Sequence, residues 1–276
     1  MQQGNTTRLA VIGYPVKYSL SPRIHTYWLK QHGIEATYEA IEVPSGDLQT
    51  FLHSLPEKKF AGINITLPHK EAALTLTDEN DDAAASIGAV NTIIVKSGRL
   101  LGRNTDAYGF MENLKSGGRT IAGSKTLVIG AGGAARAVCK GLLDANCEIT
   151  LINRTREKAD ILASAFKNRI QVTDWQELEK TMSGASLLVN TTSLGMKGQP
   201  ALDIPLNSLP KSAVVTDIIY NPLITPLLAE ASKRGNVTID GLGMLLYQAQ
   251  MAFSLWFGIM PQVDHTLRKH VLEALK

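Results

Sequence analysis

An apolar run of strand character, Lys125-Thr126-Leu127-Val128-Ile129, feeds directly into Gly130-Ala131-Gly132-Gly133-Ala134-Ala135, and this junction constrains the fold more than any other segment. Gly130 permits a sharp turn, and Gly132 lets the backbone approach a pyrophosphate. Ala135 is small enough for the next helix to lie close to the strand. The residues from Arg136 to Leu143 have helical spacing, so their helix would offer unpaired N–H groups to phosphate. A GxGxxA pattern alone is weak. A strand before it, a helix after it and a second strand at Cys147 to Ile152 supply the context of a dinucleotide site.

The end of that second strand selects the dinucleotide. NAD sites place Asp or Glu about 20 residues beyond the glycines, on the ribose 2′-hydroxyl. Here the strand ends in Asn153-Arg154-Thr155-Arg156, without a carboxylate. Two guanidinium groups and a hydroxyl suit a 2′-phosphate through bidentate, charge-assisted contacts; the plainer reading is a solvated basic strand end. The pattern predicts NADP(H) as cofactor, bound by Gly130, Ala131, Gly132, Gly133, Ala134, Ala135, Asn153, Arg154, Thr155 and Arg156.

At 276 residues the chain is long enough for two domains. A net charge of +3 argues for neither a nucleic-acid nor a membrane partner. Cys139 and Cys147 form no disulfide framework, and the first residues lack the pattern of a signal peptide, so a cytoplasmic protein is expected. The run from Gly241 to Val263 carries no charge. Its glutamines, glycines and Pro261 favour a buried helix over a membrane span. The six histidines show no metal-ligand grouping, so no metal is expected.

In the N-terminal third, Arg8–Gly13, Thr37–Val43, Gly62–Thr66 and Thr92–Val95 read as strands. Pro22–His32, Gly46–His53 and Pro68–Thr75 read as helices. This alternation predicts a mainly parallel α/β sheet. A crossing helix follows at Thr105–Lys115. A second α/β unit of Rossmann type has strands near Thr126–Ile129, Glu148–Asn153, Ser186–Asn190 and Val214–Ile219, and the residues from Gly241 onward are helical. The expected division is a discontinuous domain, 1–105 plus 241–276, and a doubly wound dinucleotide domain, 106–240.

Polar clusters fall at the predicted strand ends, where open α/β sheets bind ligands. Ser19-Leu20-Ser21-Pro22 opens a helix, and its hydroxyls would suit a carboxylate. Lys70 lies about a turn inside the helix after Asn64-Ile65-Thr66-Leu67-Pro68-His69. Asn91 and Asp106 follow Gly88-Ala89-Val90 and Asn104-Thr105. Taken singly, each is an ordinary cap, turn or surface residue.

Taken together, they resemble a family. Gly62 to Lys70, Gly88 to Thr92, Gly102 to Asp106, Gly130 to Ala135, Asn153 to Thr155, Asn190 to Met196, Asp217 to Pro222 and Gly241 to Ala249 are similar, in that order, to the signatures of shikimate dehydrogenases. The resemblance runs from about Val11 to Phe253. It implies reversible reduction of 3-dehydroshikimate to shikimate by NADPH, in chorismate and aromatic amino-acid biosynthesis, by a monomer or homodimer acting on a small molecule. By position it implies Ser19, Ser21 and Tyr220 on the substrate carboxylate and Thr66, Asn91, Asp106 and Gln248 on ring hydroxyls. Lys70 and Asp106 form the implied catalytic pair, with Lys70 donating the proton and also touching substrate. Ile218 and Gly241 fall beside the nicotinamide, and Asp82 is carried over as a cofactor residue. Tyr18, His25-Thr26 and Thr191 depart from the family pattern, which has His, His-Asn and Ala there. Two alternatives stay open on sequence: a quinate/shikimate dehydrogenase using NAD or NADP, and a catalytically silent NADP-binding regulator.

Overall fold

The computed structural model describes residues 7–118 and 121–275. The chain divides into two compact units, Met1–Thr105 with Gln248–Lys276, and Asp106–Tyr247. The sequence boundary at 240/241 falls ahead of the structural one, which lies inside a helix.

The first unit runs β1 (Thr7–Gly13), α1 (Ser21–Gln31), β2 (Ala36–Glu42), α2 (Leu48–His53), β3 (Phe60–Ile65), α3 (Lys70–Leu76), β4 (Glu79–Asn80), α4 (Asp82–Ile87), β5 (Thr92–Lys96) and β6 (Arg99–Arg103). Its six-stranded sheet has the order β2-β1-β3-β5-β6-β4. β2 on β1, β1 on β3 and β4 on β6 are parallel; β3 on β5 and β5 on β6 are antiparallel. The expected mainly parallel sheet therefore carries an antiparallel hairpin. Ser97 (φ 51°) and Gly98 (φ 78°) make its turn, and two successive positive φ values suit the right-handed twist of the strands. Ala10, Ile12, Ile63, Ile65 and Ile93 fill the core on one face. α3 begins at Lys70, after a turn in which the His69 N–H donates to Thr66 O at 3.1 Å, so Pro68 lies outside the helix.

The second unit runs α5 (Asp106–Ser116), β7 (Lys125–Ile129), α6 (Gly133–Asp144), β8 (Glu148–Ile152), α7 (Arg156–Ala165), β9 (Ile170–Thr173), α8 (Leu178–Met182), β10 (Leu187–Asn190), β11 (Val214–Asp217), α9 (Pro226–Lys233) and β12 (Val237–Ile239). Its sheet order is β12-β11-β10-β7-β8-β9, and every pairing is parallel. Read from the other edge this is the doubly wound order, with its switch point between β7 and β10. The edge strands β9 and β12 escaped the sequence reading. Buried residues cover both faces of the sheet: Val128, Leu151 and Val189 on one, Leu127, Ile129, Ile152 and Leu188 on the other. That two-sided burial is why its strands read as continuous apolar runs.

α10 (Leu242–Phe257) and α11 (His265–Leu272) complete the chain. The uncharged run forms a 16-residue helix, and among the described residues no helix is long and apolar enough to cross a membrane.

Candidate active site

In the second unit, Gly130 carries φ +106°, and a Cβ there would stand 2.7 Å from Thr191 Oγ1 and 2.8 Å from Thr192 Cγ2. Both the conformation and the space demand glycine. Gly130 N–H donates to Ile152 O at 2.9 Å, and Ala131 N–H donates to Asn153 Oδ1 at 3.2 Å. Asn153 Nδ2 in turn donates to Thr155 O at 2.7 Å. Asn153 thus ties the glycine turn to the end of β8. Gly132 precedes α6 and makes no side-chain cap, and at both Gly132 and Gly133 a Cβ would project into open space. Uncapped N–H groups at a helix start, with room before them, fit a pyrophosphate. Ala134 is half-buried and Ala135 is buried against the sheet.

Gly130, Asn153, Arg154, Trp175 and Thr192 line one pocket of about 460 Å³ at the carboxyl ends of β7, β8, β9 and β10. Arg154 therefore lines the same pocket as Gly130. Arg156 is exposed and already engaged, with Nη1 2.7 Å from Asp174 Oδ1 and Nε 3.6 Å from Asp160 Oδ2. Its hydrogen bond to Asp174 raises its pKa further. Thr155 is exposed, just before α7. Trp175 and Thr192 had no role assigned from sequence. Thr192 sits at the carboxyl end of β10, the kind of position that could have flagged it; nothing local marks Trp175.

Asp217, at the end of β11, is buried with 0% exposure among donors only. Oδ2 accepts from Asn190 Nδ2 at 3.0 Å and from Thr225 Oγ1 at 2.8 Å, while Oδ1 accepts from Ile219 N–H at 3.0 Å. Burial still raises its pKa. Asn190 Oδ1 accepts from the Thr192 N–H at 3.0 Å, so this carboxylate sets both the Thr192 loop and the Ile218–Tyr220 segment. Gly241 N–H donates to Ile219 O at 3.2 Å, and a Cβ on Gly241 would run into the Ile218 carbonyl. The structure brings Ile218 and Gly241 together. Tyr220 is half-buried, and burial pushes its phenol up. Asp106, 9% exposed, is the first residue of α5.

In the first unit the polar residues gather at the ends of β1 and β3 and just before β5. Ser19 Oγ accepts from the Ser21 N–H at 3.3 Å, at the start of α1. Ser21 is buried, and Ser19, Thr66 and Lys70 are half-buried. Thr66 N–H donates to Ile12 O at 2.9 Å, and Lys70 O accepts from Val90 N–H at 2.8 Å. The second bond ties the start of α3 to the segment that carries Asn91. Asn91 is 2% exposed and engages Thr105 from both ends of its carboxamide: Oδ1 accepts from the Thr105 N–H at 2.8 Å, and Nδ2 donates to Thr105 Oγ1 at 2.9 Å. Gln248, half-buried, lies on α10 in this unit. Asp82 is exposed and opens α4, where Asp81 accepts from the Ala84 N–H at 2.7 Å as the cap. Lys70 belongs to the first unit and Asp106 to the second.

His25 is fully buried, stacked on Tyr38 at 4.3 Å with further ring contacts to Trp28, Phe253 and Trp256. Neither ring nitrogen makes a hydrogen bond of good geometry among the described residues, and desolvation lowers its pKa from 6.5 to about 3 against a smaller upward effect of the Asn64 side chain.

A doubly wound parallel sheet with a glycine turn at its switch point defines a Rossmann-type dinucleotide-binding protein, here joined to a second α/β unit with a polar cluster at its strand ends. The chain belongs to the shikimate dehydrogenase family. Family models described as "Shikimate dehydrogenase substrate binding domain", "Shikimate / quinate 5-dehydrogenase" and "Shikimate 5'-dehydrogenase C-terminal domain" match residues 11–93, 112–240 and 241–269. A shikimate dehydrogenase (NADP(+)) of Paramagnetospirillum magneticum is 50% identical over 98% of this chain and 99% of its own length. The crystal structure of shikimate 5-dehydrogenase from Thermus thermophilus, in complex with NADP(H) and shikimate, is 40% identical. It superposes with a TM-score of 0.89 over 98% of this chain and 100% of that one. A quinate dehydrogenase from Corynebacterium glutamicum in complex with NAD is 30% identical, with a TM-score of 0.91 over 97% of this chain and 99% of that one.

Proposed function

We propose that this protein is an NADP-dependent oxidoreductase acting on a CH–OH group, which interconverts shikimate and 3-dehydroshikimate. The carrying observation is the cofactor end of the second unit. A glycine turn fits a pyrophosphate there, and Arg154 lines the adjoining pocket where an NAD enzyme would hold an acid. Gly130 to Ala135 hold the pyrophosphate, Asn153 braces the turn, and Arg154 takes the 2′-phosphate. Thr155 and Arg156 stand beside it, but Arg156 is already paired with Asp174, so Arg154 is the principal phosphate ligand. NADP(H), when bound, supplies or accepts the hydride.

The first unit is the substrate unit. Ser19 and Ser21 bind the carboxylate with Tyr220. Thr66, Asn91, Asp106 and Gln248 bind ring hydroxyls, and the Thr105 contacts of Asn91 fix its carboxamide for that purpose. Lys70 delivers a proton to the carbonyl oxygen in the reductive direction, and its ammonium stabilises the negative charge developing there. Asp106 is its partner. Asp82 is assigned to the cofactor on resemblance alone. The protein works in the cytoplasm.

The test is absorbance at the reduced-nicotinamide band with shikimate or quinate, each with NADP⁺ or NAD⁺. The reading predicts the fastest turnover with shikimate and NADP⁺. Preference for quinate with NAD⁺ would favour the kind of enzyme exemplified by the Corynebacterium quinate dehydrogenase. Tight NADP⁺ binding without turnover would make the protein a regulator.

A further inference from the structure

Beneath the polar cluster of the first unit lies a buried chain of hydrogen bonds whose direction is forced. Asn91 O is a backbone acceptor that already takes the Ile65 N–H at 2.8 Å. Asn64 presents its Nδ2 to that oxygen at 3.3 Å and to Thr92 Oγ1 at 3.0 Å. The opposite amide orientation would set two oxygens against each other, so the backbone carbonyl decides which end of Asn64 is nitrogen. Two consequences follow from counting protons. Asn64 Oδ1 needs a donor, and the Tyr38 hydroxyl supplies it at 2.6 Å. Thr92, having accepted from Asn64, sends its single proton to Asn91 Oδ1 at 3.0 Å. Asn64, Asn91 and Thr92 are 5%, 2% and 0% exposed, and Tyr38 is 8% exposed. Water is therefore a poor substitute for any member.

The anchor of this chain is itself held rigidly. The Tyr38 ring lies flat on His25, at 4.3 Å and 11° between planes. The Ser21 side chain also acts on its hydroxyl, lowering its pKa against the larger upward effect of burial. Tyr38 thus stands where a path from Ser21 meets a path to Asn91, two residues assigned above to opposite functional groups of the substrate.

We propose that Tyr38 and Asn64 are positioning residues for substrate binding: acting through Thr92, they hold the Asn91 carboxamide in one orientation, with its oxygen on the Thr92 hydroxyl and Thr105 N–H and its NH₂ on Thr105 Oγ1. This rests on the assignment of Asn91 to the substrate. It makes the relay responsible for ground-state substrate affinity and leaves cofactor binding to the other unit.

Thr92→Val removes the relay hydroxyl at constant shape, and Thr92→Ser keeps it. Tyr38→Phe removes the anchoring O–H and leaves the stacked ring. Steady-state kinetics with shikimate and NADP⁺, below the melting temperature of each variant, should show the KM for shikimate raised about fivefold or more in Thr92→Val and Tyr38→Phe. The KM for NADP⁺ and kcat at saturation should stay within about twofold, and Thr92→Ser should behave as the wild type. A role confined to core stability predicts a lower Tm with an unchanged KM for shikimate, and that result overturns the proposal. So does a Thr92→Ser variant as impaired as Thr92→Val, or an equal rise in both KM values. A wild type that fails to oxidise shikimate at all defeats the functional reading; variants indistinguishable from an active wild type defeat this inference alone. The Thr92 pair decides the matter even where Tyr38→Phe does not fold.

Discussion

On the proposed reading the two units present ligand-binding groups by different means. The first offers side chains, Ser19, Ser21, Thr66, Lys70 and Asn91, dispersed over three strand ends. The second offers chiefly backbone, through a turn whose glycines leave room for a ligand and whose shape is fixed by Asn153. A side-chain site is dismantled by subtraction, since truncating a residue deletes its interaction. A backbone site is immune to truncation and is dismantled by addition, since a new Cβ strains the turn or fills the space the ligand needs.

The largest effect should be subtractive. Lys70→Ala should lower kcat by about 10²- to 10⁴-fold, the usual reach of a positioned proton donor. Affinity for NADPH, measured by nicotinamide fluorescence, should hardly move; near-normal turnover would remove Lys70 from the chemistry. The additive counterpart is Gly130→Ala. A methyl group 2.7 Å from Thr191 Oγ1, on a residue at φ +106°, should cost about 1–3 kcal/mol of stability as backbone strain. NADP⁺ binding should weaken with it, as calorimetry would register. Unimpaired NADP⁺ binding by the variant would mean that the turn tolerates a side chain and that the contrast between the units is false.

The same contrast explains what the sequence made legible. Backbone sites are local: strand, glycine turn and helix are contiguous from Lys125 to Leu143, so the pattern shows in one window. The Lys70 and Asn91 clusters were visible as short polar runs. Their support was not, because Tyr38, Asn64 and Thr92 lie far apart in sequence and meet only when β2, β3 and β5 fold together. The pairing of Arg156 with Asp174 across the α7–β9 segment was hidden for that reason. Of the missed strands, β6 did carry a signal, the Ser97-Gly98 turn dipeptide. β4, β9 and β12 are short edge elements whose pairing is imposed by their neighbours.

On the proposed reading, Arg154 is the exposed side chain by which the otherwise backbone-built second unit chooses its dinucleotide. Arg154→Ala should weaken NADPH by about tenfold, the lower end for a lost charge-assisted hydrogen bond at a solvent-facing site. NADH should change by less than about twofold. Competition binding with both nucleotides measures this directly. Equal weakening of the two would show that Arg154 serves the adenosine or the fold and not the 2′-phosphate.

The units also differ in how they bury an ionisable group. Asp217 sits among three donors in the second unit; His25 sits among aromatic rings in the first, with no hydrogen bond of good geometry to either nitrogen among the described residues and only a small upward effect of the Asn64 side chain on its pKa. Because the folded-state pKa of His25 is lowered to about 3 from 6.5, folding favours the neutral ring. The stability this gives is present above pH 6.5 and is lost as the pH falls toward 3. Asp217 has the opposite sign: burial raises its carboxyl, so its contribution is present below the ordinary carboxylate value and fades as the pH rises. Between pH 7 and pH 5 the His25 linkage amounts to about 2 kcal/mol, at 1.36 kcal/mol per pH unit. His25→Phe keeps a ring against Tyr38 and removes the proton site. Urea unfolding at pH 7 and pH 5 should therefore show the wild type losing about 2 kcal/mol more than His25→Phe on acidification. Parallel losses in the two proteins would mean that the buried imidazole finds a partner or water on folding, and that the first unit satisfies its buried polar groups as completely as the second.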